Sequence, residues 1–161
     1  MKFRLITSTT LGGYMSSVMR TDVENIIVVG IDGSEHSKSA LRWAAKLAPL
    51  LNCTIYAVSI WQYPLMVGVE GMVTYEWEPD KEAQRVLDTT IDQVFGSHVP
   101  DGLSREIKQG NTTTELSELS KNATMLIVGK RGLGGFIGLL MGSVSRSVVE
   151  HAKCPVLVLH E

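Results

Sequence analysis

The densest group of residues able to do chemistry is Val128-Gly-Lys-Arg-Gly-Leu-Gly-Gly-Phe-Ile-Gly-Leu-Leu-Met-Gly-Ser-Val-Ser145, which holds six of the chain's 15 glycines. Successive glycines let a backbone approach a ligand without Cβ obstruction. Amide N–H groups in such a loop, together with the unpaired N–H groups of a helix starting at Ser143, form an anion site. Phosphate is its natural guest. Ser143 and Ser145 add hydroxyls, while Lys130 and Arg131 bring positive charge to the start of the loop.

A second group lies in Gly30-Ile-Asp-Gly-Ser-Glu-His36. Asp32 there either contacts a ligand or caps the following turn through its carboxylate. His36 invites a reading as a general base, but no Ser, Cys or carboxylate stands at a recognised catalytic spacing from it, so it reads as a turn residue at a helix entrance. Trp61, Tyr63, Tyr75 and Trp77 could stack on a base, pack over the sheet edge or form an exposed interaction patch. Cys53 and Cys154 are far apart with no Cys or His at ligand spacing nearby, which argues against zinc and for two small buried apolar residues.

The elements that must position these groups are read from hydropathy. Ile26-Ile-Val-Val-Gly-Ile31 is apolar on both faces, as a central parallel strand is. Residues 37–51 place Ala40, Leu41, Ala44, Ala45, Leu47, Ala48 and Leu51 at helical spacing, with Ser34 or Ser37 as the cap. Thr54–Ile60 is a second strand, followed by an irregular stretch over 61–78 that also takes in Pro79. Helices then follow around Ala83–Val94, Leu116–Ala123 and Val144–Ala152, alternating with strands at Leu103–Gln109, Met125–Val128 and Pro155–His160. Strands separated by helices imply right-handed crossovers and a parallel sheet covered on both faces. In such sheets ligands bind beyond the carboxyl ends of strands, where the strand order reverses. Residues 1–24 are Ser/Thr-rich without periodicity, contain Met15 and Met19, and read as a disordered extension before a domain spanning 25–161.

At 161 residues and 17.6 kDa the chain is one domain's length, able to hide roughly 70% of the unfolded surface without disulfides or metals. Fifteen Lys and Arg against 17 Asp and Glu give no drive toward nucleic acid or anionic membrane. No apolar run reaches the ~18 residues of a membrane span, and the first residues lack the apolar region of a secretory signal. A cytoplasmic protein is expected. The Asn-x-Ser/Thr matches at Asn52, Asn111 and Asn122 are then chance.

Common nucleotide fingerprints fail. Gly129-Lys130 is followed by Arg131, so no P-loop exists, and the first strand end lacks the third glycine of G-x-G-x-x-G. The spacing Gly129-x2-Gly132-x9-Gly142-Ser143, joined to Val29-Gly-Ile-Asp32-Gly-Ser34 and the terminal Cys154-Pro-Val-Leu-Val-Leu159, resembles the universal stress protein family over about residues 25–160. Within it the chain resembles the ATP-binding branch with G-x2-G-x9-G-[ST].

That resemblance implies a three-layer α/β/α sandwich with a five-stranded parallel sheet in the order 3-2-1-4-5, similar to the adenine-nucleotide alpha-hydrolase fold. It also implies a site for ATP or another adenine nucleotide, with Mg2+ or Mn2+. Gly30, Ile31 and Asp32 would belong to the nucleotide site, with Asp32 facing the ribose or a phosphate-bound metal, and the backbone of Val58 would recognise the adenine edge. Val128 would belong to the same site, and Gly129 would let the chain pass the ribose. Gly132, Gly142, Ser143, Val144 and Ser145 would hold the phosphates by backbone N–H and hydroxyl groups, and Arg131, part of the same site, would either reach a phosphate or leave it to them. Lys130 departs from the small hydroxyl residue many members carry. The apolar terminal strand Val156–Leu159 would pair with a second copy as a homodimer. The expected function is a nucleotide-dependent regulator of the stress response, acting on an unidentified protein partner, with little or no catalytic turnover. A slow ATPase or autophosphorylating protein, and a nucleotide-free interaction module, stand as alternatives.

Overall fold

The computed structural model describes residues 25–63, 78–133 and 140–160. The expected N-terminal extension over 1–24, Tyr75 and Trp77, and Gly134, Gly135 and Gly138 lie outside the described residues.

Nine elements follow in the order β1 (Ile26–Gly30), α1 (Glu35–Leu51), β2 (Thr54–Trp61), α2 (Pro79–Phe95), β3 (Leu103–Gln109), α3 (Thr112–Leu119), β4 (Met125–Gly129), α4 (Ser143–His151) and β5 (Val156–Leu159). The strands form one parallel sheet in the order β3-β2-β1-β4-β5. Strand alternation divides the interior in two. Ile27, Val29 and Ile31 point to one face and meet Ala40, Leu41 and Ala44 of α1 and Leu87 and Ile91 of α2. Val28 and Val58 point to the other and meet Leu116 of α3 and Val148 of α4. The three central strands are therefore apolar on both faces, whereas β3, an edge strand, carries exposed Ser104, Arg105 and Glu106.

Several boundaries differ from the sequence expectation for identifiable reasons. Trp61 extends β2, paired with Gln109 of β3. Pro79 starts α2 instead of ending the preceding irregular stretch, because a proline lacks only an N–H that the first helical turn leaves unpaired anyway. α3 begins at Thr112 and stops at Leu119, so Ala123 is buried in the connector that leads to β4. Asn111 caps α3 by accepting from the amides of Thr113 and Thr114 at 3.1 and 3.2 Å. Ser34, not Ser37, caps α1, accepting from the Ser37 amide at 3.2 Å.

Candidate functional site

From β1 the chain moves outward to β2, and from β4 outward to β5, so the strand order reverses between β1 and β4. A cavity of about 580 Å³ opens at their carboxyl ends, within the ~300–1,000 Å³ typical of small-molecule sites. All twelve residues singled out for nucleotide binding line it. Gly30, Ile31 and Asp32 come from the end of β1, Val58 from β2, and Val128 and Gly129 from β4. Arg131 and Gly132 follow β4, and Gly142, Ser143, Val144 and Ser145 open α4. The structure adds Ser37, Ile60, Thr112, Leu116, Leu133 and Met141. Ile60, two residues beyond Val58 on the same strand face, was legible from the alternation. Thr112 and Leu116 were not, because only the topology brings the start of α3 to this crevice.

Three helices start at or beside the cavity, and their first turns differ. α1 is capped by Ser34 and α3 by Asn111. α4 has Gly142 as its N-cap, so it carries no side-chain cap and no acidic residue in its first turn. Ser143 is thus the first helical residue and not the cap. Capping would satisfy orphan amides and acidic residues would offset the positive end of the helix dipole; α4 has neither. The amides of Ser143, Val144 and Ser145 have no partner among the described residues, the first helical bond being from Arg146 to the Gly142 carbonyl. Arg131, whose Cα lies close to Gly142, lines the same cavity, and its buried Nε lacks a hydrogen-bond partner among the described residues. A buried guanidinium N–H left unpaired is costly, and an anion at this point would satisfy both features.

Other donors expected for phosphate are committed within the chain. The Ser145 hydroxyl, 3% exposed, lies 2.9 Å from the carbonyls of both Gly129 and Lys130. Its single proton serves those acceptors, which leaves only its amide for a ligand. The Gly142 amide donates to the Lys130 carbonyl at 2.9 Å, and the Lys130 amide to the Leu159 carbonyl at 2.7 Å. Lys130 does not line the cavity. The Val58 carbonyl accepts from the Ile31 amide at 2.8 Å, so the hydrogen-bonding capacity expected there for an adenine edge is partly taken by the sheet.

Asp32 is fixed by its neighbours. Its Oδ1 accepts from the amide and hydroxyl of Ser34, at 3.0 and 2.6 Å, which is the turn-capping role. Its Oδ2 reaches the space over Gly132, so the carboxylate also faces the cavity. Gly129 is bare for a packing reason that precedes any ligand. A Cβ there would stand 2.7 Å from the Cβ of His36 and 2.8 Å from its carbonyl carbon, where α1 crosses β4.

His36 is the second residue of α1, outside the cavity lining, with its ring edge-on to His160 at 6.4 Å. Trp61 and Tyr63 meet edge to face at 5.4 Å and do not line the cavity either. Among the described residues no group of three His, Cys, Asp or Glu comes together that could hold a metal by itself. A cation here would take Oδ2 of Asp32 and draw its other ligands from phosphate and water. No helix among the described residues is long and apolar enough to cross a membrane.

The model of the Universal stress protein family matches residues 25–160. Universal stress protein Rv2623 of Mycobacterium tuberculosis is 33% identical over 145 residues, covering 84% of this chain and 47% of its own length. A universal stress protein of Mycolicibacterium smegmatis is 30% identical over 153 residues, covering 89% and 50%. The chain therefore spans about half the length of these curated relatives. Among solved structures, a universal stress protein in complex with cAMP superimposes with a TM-score of 0.62 at 24% identity, over 86% of this chain and 98% of that one. The universal stress protein from Archaeoglobus fulgidus in complex with dAMP gives 0.61 at 20%, over 86% and 99%.

Proposed function

The chain belongs to the universal stress protein family, and on that premise we propose that its cavity binds an adenine nucleotide, ATP or a shorter relative, with Mg2+ or Mn2+ and little or no turnover. One observation carries the reading. The only helix start in the cavity without a side-chain cap, that of α4, shares the cavity with Arg131, whose Nε is the only buried guanidinium nitrogen among the described residues without a partner. An anion answers both. The cAMP and dAMP held by two structural relatives support adenine as the base attached to that anion.

Binding without turnover is supported by how Ser145 and His36 are held, and by the lack of a hydrogen bond from the Ser143 hydroxyl to any general base among the described residues. The Ser145 hydroxyl is turned into the main chain, and His36 stands outside the cavity. No described lining residue other than Asp32 could serve as a general base, and one of its oxygens is held by Ser34.

We further propose a homodimer through β5. That strand is at the sheet edge, with Val156, Leu157 and Val158 only partly buried, so its open side offers unpaired backbone and apolar side chains. Nucleotide occupancy would then alter contacts at this edge or with a protein partner, the behaviour of a stress-response regulator. Denaturing freshly purified protein and identifying the released small molecule by mass spectrometry tests the ligand. An adenine nucleotide is expected. Release of none, together with no heat on titration with ATP and Mg2+, AMP or cAMP, would overturn the reading.

A further inference from the structure

We infer that Thr112 is a specificity residue that hydrogen-bonds the base of the bound nucleotide, an inference that rests on reading the cavity as an adenine-nucleotide site. Four hydroxyl side chains line the cavity. Those of Ser37 and Ser145 are committed to main-chain carbonyls, Ser37 donating to Ser34 at 2.9 Å. Ser143 and Thr112 make no side-chain hydrogen bond among the described residues. Ser143 is at the uncapped start of α4, where the anion goes. Thr112 opens α3 and lines the same cavity.

The surroundings of Thr112 fit a flat, mostly apolar group. The Gly110 amide donates to the Trp61 carbonyl at 2.9 Å, which brings the start of α3 over the end of β2, beside Ile60. One turn further on, Leu116 lies over Gly30, its methyls 3.5 and 3.6 Å from where a Cβ on that glycine would stand. Val58 and Ile60 of β2 and Leu116 of α3 belong to one packed apolar cluster, and among the cavity-lining residues of β2 and α3 Thr112 alone carries a polar side chain. The need for that hydroxyl is greater because the Val58 carbonyl already accepts from Ile31. Asn111 caps α3 through the amides of Thr113 and Thr114, so the Thr112 hydroxyl is not needed for the helix. A hydroxyl both donates and accepts, which suits the mixed edge of a purine.

Calorimetry with AMP on the full chain, alongside Thr112→Val and Thr112→Ser, tests the assignment. Thr112→Val keeps the shape and removes the hydroxyl. It should weaken AMP about fivefold, the worth of one neutral hydrogen bond, while Thr112→Ser restores most of the loss. Ribose 5-phosphate, titrated by NMR shift changes, should bind both variants and the unaltered chain alike. Unchanged AMP affinity in Thr112→Val, or an equal loss for ribose 5-phosphate, overturns the role of Thr112 while leaving the nucleotide site standing. Failure of the unaltered chain to bind AMP, ATP or cAMP overturns the site itself.

Discussion

Oδ2 of Asp32 stands 2.3 Å from the point where a Cβ on Gly132 would sit. The glycine following β4 and the carboxylate following β1 thus share one small volume, and the second can keep its place only while the first has no side chain. Oδ1 accepts from the amide and hydroxyl of Ser34, so the carboxylate cannot swing aside without straining its bonds to the residue that caps α1.

Gly132→Ala should therefore act through Asp32. We expect adenine-nucleotide affinity to fall at least about tenfold by calorimetry, the scale of a displaced charged hydrogen-bonding group. Gly129→Ala is the contrasting case, because its Cβ meets α1 and not the ligand side. It should lower stability by about 1–3 kcal/mol in denaturant unfolding, as overpacking does.

Arg131→Gln separates charge from the rest of the site. Removing the guanidinium should weaken AMP about tenfold or more, in line with a hydrogen bond to a charged group, and leave adenosine binding unchanged. Equal losses for AMP and adenosine would place Arg131 away from the phosphate. Its stability should hold or rise slightly, since the buried Nε has no partner to lose.

Ser145→Ala should be a stability variant first. Its hydroxyl ties the start of α4 to the carbonyls of Gly129 and Lys130, and its loss should cost about 1–2 kcal/mol in denaturant unfolding. Ligand affinity should fall less than in Arg131→Gln, because the Ser145 amide survives the substitution.

The acid limb of the stability profile should contain Asp88. The Gln84 amide and the Arg105 guanidinium, 2.8 and 2.7 Å away, hold its carboxyl below the usual carboxylate range. A lowered value means that the charged form is favoured in the folded state. Its stabilisation is present above the unfolded value near pH ~4 and disappears as pH falls through the folded one. Asp88→Asn should flatten the fall in Tm between about pH 5 and pH 2, and a profile parallel to that of the unaltered chain would exclude this contribution.

Leu157→Lys tests the edge of the sheet. A charge on β5 blocks pairing with another chain. Light scattering should give a dimer mass for the unaltered chain and a monomer mass for the variant, with both folded by circular dichroism.

What could be read from the sequence follows the range over which each signal acts. The doubly apolar β1 and the spacing of Gly129, Gly132 and Gly142 are local patterns, and they point to the sheet centre and to the part of the cavity wall between β4 and α4. Ser145 was a correct lining residue with an incompletely read role, because the commitment of its hydroxyl depends on where β4 ends beneath α4. The close approach of His36 to Gly129, brought about by the crossing of α1, leaves no local pattern to read. Thr112 carried no local signal, since a threonine after Asn111 reads equally well as part of a helix cap. Pro79 misled through its usual meaning as a breaker, which inverts at a helix's first residue.

Lys130 makes all its contacts to this region through its peptide groups. The amide reaches Leu159, and the carbonyl receives Gly142 and Ser145. None of these bonds depends on which side chain the residue carries. A substitution at Lys130 that keeps the backbone should therefore leave the loop joined to β5 and α4 as it is, so that this point of the cavity wall is secured by the main chain alone.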